Sequence, residues 1–277
     1  MLKKVFLALG AICGLFICPG CLQVEVGGQV TTEMASAWFL DAPGALNAYM
    51  IYSLDEEEAT DENDREEERI AYLTFDDGPS EHTVEVLDIL KKYDVKATFF
   101  VNGNDTAFGR NMYRRMVKEG HALGNHTYSH TYSQIYSSVD SFFEDFLKLE
   151  KLLKKTTGVR PRIMRFPGGS TNTVSRSVSG YQIMDELVAK VEKEEYIYHD
   201  WNVCAFDSDY PPPNSATIAQ NVLQQASFKE GDIVVLLHDG MMNKTTPGAL
   251  PRIIEGLREL GFQFRVLTPE VEKVQFY

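Results

Sequence analysis

Cysteine is scarce in this 277-residue chain. It has four, and Cys13, Cys18 and Cys21 sit together near the N-terminus, leaving only Cys204 in the body. No disulfide framework and no cysteine-based zinc site can be built from one thiol, so Cys204 is expected to pack as a small apolar residue. Positive charge is also lacking: 27 Lys and Arg stand against 40 Asp and Glu, a net charge of -13. That excludes a basic nucleic-acid footprint. No apolar run is long enough to span a membrane as a typical helix, which needs roughly 17–25 residues; the longest, 5–18, has 14. There is no Gly-x-Ser-x-Gly, so a serine-esterase nucleophile elbow is missing as well.

What is present is uneven. Residues 55–69, "DEEEATDENDREEER", carry -8 of the net charge and leave -5 for all the rest. Such a run reads as a solvated, self-repelling linker. Ahead of it, Lys3 and Lys4 precede the apolar run, and Pro19-Gly20-Cys21 ends it. This has the layout of an export leader. Cleavage, lipidation at Cys21 and retention as an anchor all remain open, and Ala35-Ser36-Ala37 offers a cleavage site farther on. Residues 1–21 are therefore expected to be the leader or membrane anchor, 22–69 an extension and linker, and 70–277 the catalytic body. The apolar stretch 35–52 has no clear period.

In the body, apolar strand-like runs alternate with helix-like ones. Strands are expected at 70–75, 97–101, 121–125, 162–166, 196–203, 232–237 and 263–267. Helices are expected at 81–93, 107–119, 138–155, 179–194, 215–227 and 248–260, the first with Val84, Leu87, Leu90 and Tyr93 as its buried face. Gly120, Gly158 and Gly261 stand where helices end. The alternation argues for parallel βα units closing into a distorted (β/α) barrel of about seven strands. In such folds sites form at the carboxyl ends of the strands. The clusters "DDG", "NHTYSH", "RFPGG", "FDSD" and "HDG" all fall there.

Each cluster suits a task. In "TFDDGPS", Asp76 and Asp77 would point different ways along a strand, so one can bind a cation while the other works on a water; Asp77 could instead cap the next helix. His126 and His130 of "HTYSH" are four apart and share a face if the segment is a helical turn. With a carboxylate from "DDG" they make an Asp-His-His set that suits zinc, iron, manganese or cobalt. His82 and His121 lack such partners and read as ordinary polar residues. Arg165 of "RFPGG" is placed to orient a carboxylate bidentately, and the turn after it to turn backbone N–H groups toward a ligand. His238 of "LLHD" is either a structural group or a general acid or base.

Taken in order, "TFDDGPS", "HTYSH", "RFPGG" and "LLHD" resemble the polysaccharide deacetylase family (the NodB homology domain, carbohydrate esterase family 4), over about residues 70–267. The resemblance implies removal of N-acetyl groups from sugars with one divalent metal ion, zinc first and cobalt, manganese, nickel or iron as alternatives. It implies Asp77, His126 and His130 as metal ligands, Asp76 as base, held by Arg165, and His238 as acid. Gly168 would give a backbone oxyanion donor and Leu236 would line the acetyl pocket. Two features depart from the family: Gly168 stands where many members have tyrosine, and no tryptophan follows Asp207 or Asp209, either of which could support His238. Asp207 is favoured because it stands nearer the strand end.

Peptidoglycan amino sugars lead as substrate, ahead of chitin-like glycans, capsule or biofilm glycans and xylan. The protein is expected to be a monomer outside the cytoplasm, secreted or tethered at the membrane, with an N-acetylated polysaccharide as its partner and no nucleic acid. A non-haem iron oxygenase would need neither the paired aspartates nor His238. A non-catalytic carbohydrate-binding relative would be expected to lose Asp76 or His238.

Overall fold

A computed structural model describes residues 68–277 and, separately, the backbone of β1 (Glu25–Val26) and β2 (Gln29–Val30), which pair antiparallel. The leader with Cys21, the apolar stretch 35–52 and the acidic run up to residue 67 lie outside the described residues. By packing, the chain divides into units 1–64 and 65–277.

The second unit begins with β3 (Arg69–Asp76), followed by α1 (Glu81–Lys92), β4 (Thr98–Val101), α2 (Ala107–Lys118) and β5 (Ala122–Asn125). Then come α3 (Tyr132–Ile135), α4 (Val139–Thr157), β6 (Ile163–Met164), α5 (Val174–Ser179), α6 (Ile183–Lys193), β7 (Ile197–Tyr198) and β8 (Val203–Cys204). The unit closes with α7 (Ser215–Ala226), β9 (Ile233–His238), α8 (Thr246–Glu259) and β10 (Phe262–Phe264). All the pairings in this sheet are parallel, in the order β7-β6-β5-β4-β3-β9-β8, with β10 beside the start of β3.

The expected strand at 196–203 is thus two strands, and they lie at opposite ends of that order. This forces the curl. From Tyr198 to Val203 the chain reaches at most about 18 Å. Seven strands laid flat would put their outer members about 29 Å apart. The sheet must roll up until its edges nearly meet, and 199–202 bridges the seam. Among the helices, the run expected at 179–194 is broken by Gly180, whose φ of +85° ends α5 before α6 begins.

Alternation along β3 sorts its side chains. Ala71, Leu73 and Phe75 face the helices and join the main core with Val86, Leu87 and Leu90 of α1. Ile70 and Tyr72 face into the barrel, together with Phe100, Ile163 and Val234. Thr74 and Asp76 continue that inward row and are buried. In β9, Val235 and Leu237 face the helices, so Leu236 and His238 share the inner face. A second, aromatic core lies where α4 and α6 pack on β6 and β7, around Phe142, Phe146, Phe166 and Tyr198.

The buried face of α1 is rotated from the expected one: Thr83 and Val86 are in it, while Val84 and Tyr93 are only half-buried. The cause is local. Ser80, not Asp77, caps α1, in a reciprocal capping box with Thr83, and the Thr83 hydroxyl also donates to Asp239. His121 is not a surface polar residue either. It is buried, its Nδ1 accepts from the Ala97 N–H, and burial pushes its pKa down to about 4. Phe99 is wholly buried between Phe75, stacked at 5.1 Å, and His121, edge-on at 5.4 Å. Phe99→Ala should therefore cost about 3–5 kcal/mol, read as a lower denaturant midpoint at an unchanged slope.

Candidate active site

Strand register assembles the site's first pair. Asp76 is the last residue of β3, and its Cα partner in β9 is His238. Both belong to the inward row, so their side chains are neighbours at the carboxyl end of the barrel. One step earlier on that face, Leu236 pairs with Thr74 and is almost fully buried.

Arg165 follows β6 and is completely buried. Nη1 donates to Asp76 Oδ1 at 2.9 Å and to the Thr74 hydroxyl at 2.7 Å; Nε donates to the His199 carbonyl and Nη2 to the Asp200 carbonyl. The guanidinium also lies 4.3 Å over the Phe100 ring. The expected bidentate grip on a carboxylate is absent. Arg165 makes one bond to Asp76 and spends its other donors on Thr74 and the two seam carbonyls.

The strand ends before Asp77, which has a φ of +74°. The two aspartates therefore do not diverge as strand neighbours would. They converge on the same imidazole: His126 Nε2 lies 3.7 Å from Asp76 Oδ2 and 3.6 Å from Asp77 Oδ1. Gly78 follows because nothing larger fits; a Cβ there would stand 2.4 Å from an Asp239 carboxyl oxygen.

His126 and His130 do share a face, but not on a helix. They lie in a loop in which Thr127 and His130 have φ of +68° and +50°. Three side chains hold that loop. Asn125 accepts from the Thr127 N–H, Asp145 of α4 from the Tyr128 and Ser129 N–H groups, and Asn102 donates to the His126 and Thr127 carbonyls. His126 Nδ1 lies 2.7 Å from the Arg165 carbonyl, which makes it the protonated nitrogen and leaves Nε2 with a free lone pair. Burial lowers the pKa of His126, opposed by the Asp76 charge, so the ring is neutral as a ligand must be.

Asp77, His126 and His130 bring one ligand atom each to within 4.8 Å of one another. His130 Nε2 lies 3.3 Å from Asp77 Oδ1, an oxygen that is buried and has no hydrogen-bond partner. An orphaned carboxylate oxygen facing two imidazole nitrogens fits a divalent cation.

On the far side of Asp76, the Asp207 carboxylate takes His238 with both oxygens. Oδ1 lies 2.8 Å from Nδ1, and Oδ2 accepts from the His238 N–H at 2.8 Å and from Thr246 at 2.7 Å. Burial alone would lower the His238 pKa. The hydrogen bond and charge of Asp207, with Asp76 and Asp77 behind, outweigh it and raise the value to about 9. Asp209 is exposed and makes no contact with His238 among the described residues. Gly168, with φ of +77°, is exposed, and its N–H donates to no acceptor among the described residues. Cys204 is half-buried, its thiol pushed up to about 11 by burial, and it takes no part.

Sequence reasoning gave no role to Thr74, Asp145, Thr246 or Asp239. Two of them stood inside quoted motifs, Thr74 in "TFDDGPS" and Asp239 in "HDG"; Asp239 is fully buried against Gly78 and Thr83.

Comparison with known proteins places the chain in a family. A family model described as polysaccharide deacetylase matches residues 63–182, a span that includes Asp76, Asp77, His126, His130, Arg165 and Gly168 and ends before Asp207 and His238. A peptidoglycan-N-acetylglucosamine deacetylase of Bacillus cereus is 31% identical over 208 residues, 74% of this chain and 71% of that one. The catalytic domain of a peptidoglycan N-acetylglucosamine deacetylase from Eubacterium rectale superposes with a TM-score of 0.71 at 38% identity, covering 76% of this chain and 93% of that one. The Xyl-CE4 domain of a multidomain xylanase from the hindgut metagenome of Trinervitermes trinervoides gives 0.60 at 29% identity, covering 74% and 95%. The fold is the curled parallel (β/α) barrel of these deacetylases. The chain belongs to the polysaccharide deacetylase family.

Removing Arg165 should expose its structural weight. Arg165→Met leaves Asp76 buried without a counter-charge and should cost about 3–5 kcal/mol in denaturant unfolding. Adding Asp76→Asn should recover part of that loss, since the double variant no longer buries a lone charge.

Proposed function

We propose that this protein is a metal-dependent hydrolase that removes N-acetyl groups from polysaccharide amino sugars, peptidoglycan first. The observation that carries the reading is the placement of Asp76 between two assemblies. The Asp77-His126-His130 set lies on one side and the Asp207-His238 pair on the other.

Asp77, His126 and His130 would hold the cation, with zinc the first candidate for a two-histidine, one-carboxylate set. When bound, such an ion supplies a Lewis acid and eases deprotonation of water. Asp76, oriented by Arg165, takes the proton of the attacking water. The Gly168 N–H donates to the carbonyl oxygen as it gains charge, and Leu236 lines the space for the acetyl methyl. His238 has Nδ1 committed to Asp207, so Nε2 delivers the proton to the amine nitrogen as the C–N bond breaks. Acetate and a free amine result.

The substrate reading is supported by relatives named as peptidoglycan deacetylases and by the rim of the site. Phe206, Tyr210, Met241 and Met242 are exposed on the loops that follow β8 and β9, at the same end as His238. Apolar and aromatic surface there suits the faces of sugar rings flanking the acetyl group. The leader-like N-terminus supports a place outside the cytoplasm, free or tethered. No helix among the described residues is long and apolar enough to cross a membrane. A monomer suffices, since every proposed group comes from one chain.

The test is acetate release from peptidoglycan and from N-acetylglucosamine oligomers by metal-loaded protein. Asp76→Asn should keep one metal equivalent and lose roughly 10²–10⁴-fold in rate, as expected for a missing general base. His126→Ala should lose the metal with the fold retained by circular dichroism. A full equivalent kept in His126→Ala, or near-normal rate in Asp76→Asn, would sink the assignment.

A pH profile tests the acid. His238 must be protonated to act, so the rate should fall as pH rises through its pKa, raised here to about 9. Asp207→Asn removes the interaction that holds it up and should move this alkaline limb to lower pH; Asp209→Asn should leave it in place. A bound dication lowers the limb in every form, so the displacement between variants is the quantity to read.

A further inference from the structure

The hydroxyl of Tyr132 is left over by the site as described. Tyr132 opens α3, two residues after His130, and is half-buried. Its ring is fixed on two sides. It stands edge-on to His130 at 5.3 Å, and 5.8 Å from the ring of Tyr136. Three buried tyrosines use their hydroxyls on protein acceptors, Tyr136 on the Pro167 carbonyl, Tyr113 on the Asn102 carbonyl and Tyr196 on Glu150, while Tyr128 and Tyr198, like Tyr132, do not. The Tyr132 hydroxyl makes no hydrogen bond among the described residues.

Its position explains Gly168. A Cβ built on Gly168 would stand 2.9 Å from the Tyr132 hydroxyl oxygen, 3.1 Å from Asn172 Cβ and 3.4 Å from Tyr132 Cε1. The space that a side chain at 168 would fill is taken by the tip of Tyr132, arriving from a different loop. The same contact bounds a second distance. A Cβ lies about 2.5 Å from its own backbone nitrogen, so the hydroxyl oxygen is no more than about 5.4 Å from the Gly168 nitrogen. Two donors can share one acceptor oxygen at about 2.9 Å each when they are no more than about 5.8 Å apart. The Tyr132 O–H and the Gly168 N–H meet that condition. Both are free of protein acceptors, and both lie beside the Asp77-His126-His130 set.

We propose that Tyr132 is a catalytic residue, a second oxyanion donor that shares the acetyl carbonyl oxygen with the Gly168 N–H. The role rests on the deacetylase reading above. Tyr132 gives a hydrogen bond and keeps its proton. The protons that change place are those of the attacking water, taken by Asp76, and of His238, given to the amine. The bond to Tyr132 strengthens as the carbonyl oxygen becomes negative, so it lowers the barrier more than it tightens substrate binding.

Tyr132→Phe keeps the ring and removes only the donor. In the metal-loaded full chain acting on N-acetylglucosamine oligomers, kcat should fall roughly 10- to 100-fold, less than the 10²–10³ typical of a fully enclosed donor, with KM within about twofold. Metal content should stay at one equivalent. A second readout needs no turnover: acetate, which offers a carboxylate oxygen to the same donors, should bind the variant about 2- to 10-fold more weakly by titration calorimetry. An unchanged kcat or equal acetate affinity overturns the proposal. So does loss of metal in the variant, which would make Tyr132 a support for His130 and not a donor. If the parent protein releases no acetate from any N-acetylated glycan, it is the deacetylase reading that fails, and the acetate titration still decides whether Tyr132 donates.

Discussion

The Arg165 guanidinium crosses the inside of the barrel, and much of the site takes its position from it. Its donors reach β3 at Thr74 and Asp76 and the seam at His199 and Asp200. Its own carbonyl fixes the ring of His126. One buried residue therefore relates Asp76, a metal-ligand candidate and the segment that joins the two edges of the sheet. A fully buried cation is costly unless its donors are satisfied, and here four acceptors and an aromatic face satisfy it. The same bonds that make the charge tolerable make the geometry unique, because moving any partner would leave a buried donor orphaned.

The seam is also where the neighbouring loop is tied down. Asp200 is buried and accepts from the Ser170 N–H and hydroxyl and from the Phe276 N–H. It holds the turn that carries Gly168 and the C-terminal segment at once. The sheet that rolls up to bring β7 and β8 near each other thus sets the loop of Gly168 as well. Fold closure and site geometry are one event, linked through 199–202.

Much of this was legible in the sequence, and the failures have physical causes. The order of βα units and the carboxyl-end placement of the motifs follow from periodicity alone. The split of 196–203 does not. Tyr, Ile, Tyr, Trp and Val are all strand formers; Asp200 and Asn202 are poor ones and hint at a break, but a break does not say that the chain changes edges of a sheet between Tyr198 and Val203. The histidine pair was legible as a pair but not as a loop, because the turns at Thr127 and His130 are imposed by Asn102 and Asp145, which are distant in sequence. The rotated face of α1 was hidden for a related reason. Thr83 occupies a buried position that hydropathy assigns to an apolar residue, and it is at home there only because Ser80 and Asp239 satisfy it. For the histidine loop and for Thr83 a short-range pattern was overruled in part by polar contacts from far away, from Asp145 and from Asp239, the kind of contact one sequence does not display.

The remaining question is how three carboxyl groups coexist at one strand end. Asp76, Asp77 and Asp239 are brought together by the β3 terminus and the β9 terminus, whose backbones are joined where the Asp239 N–H meets the Asp76 carbonyl. Each is compensated differently. Asp76 has Arg165. Asp77 faces His126 and His130 with an oxygen that protein groups leave unsatisfied. Asp239 forms no ion pair among the described residues. Burial raises its pKa to about 7, with the charges of Asp77 and Asp76 adding to the rise and the Thr83 hydrogen bond and the His238 charge opposing it. Near neutrality Asp239 can therefore shed its charge, and the repulsion it would exert on its neighbours is relieved by a proton. Asp77 and Asp239 each keep a buried oxygen that no described protein group satisfies, and of the two it is Asp77 that stands with two imidazole nitrogens.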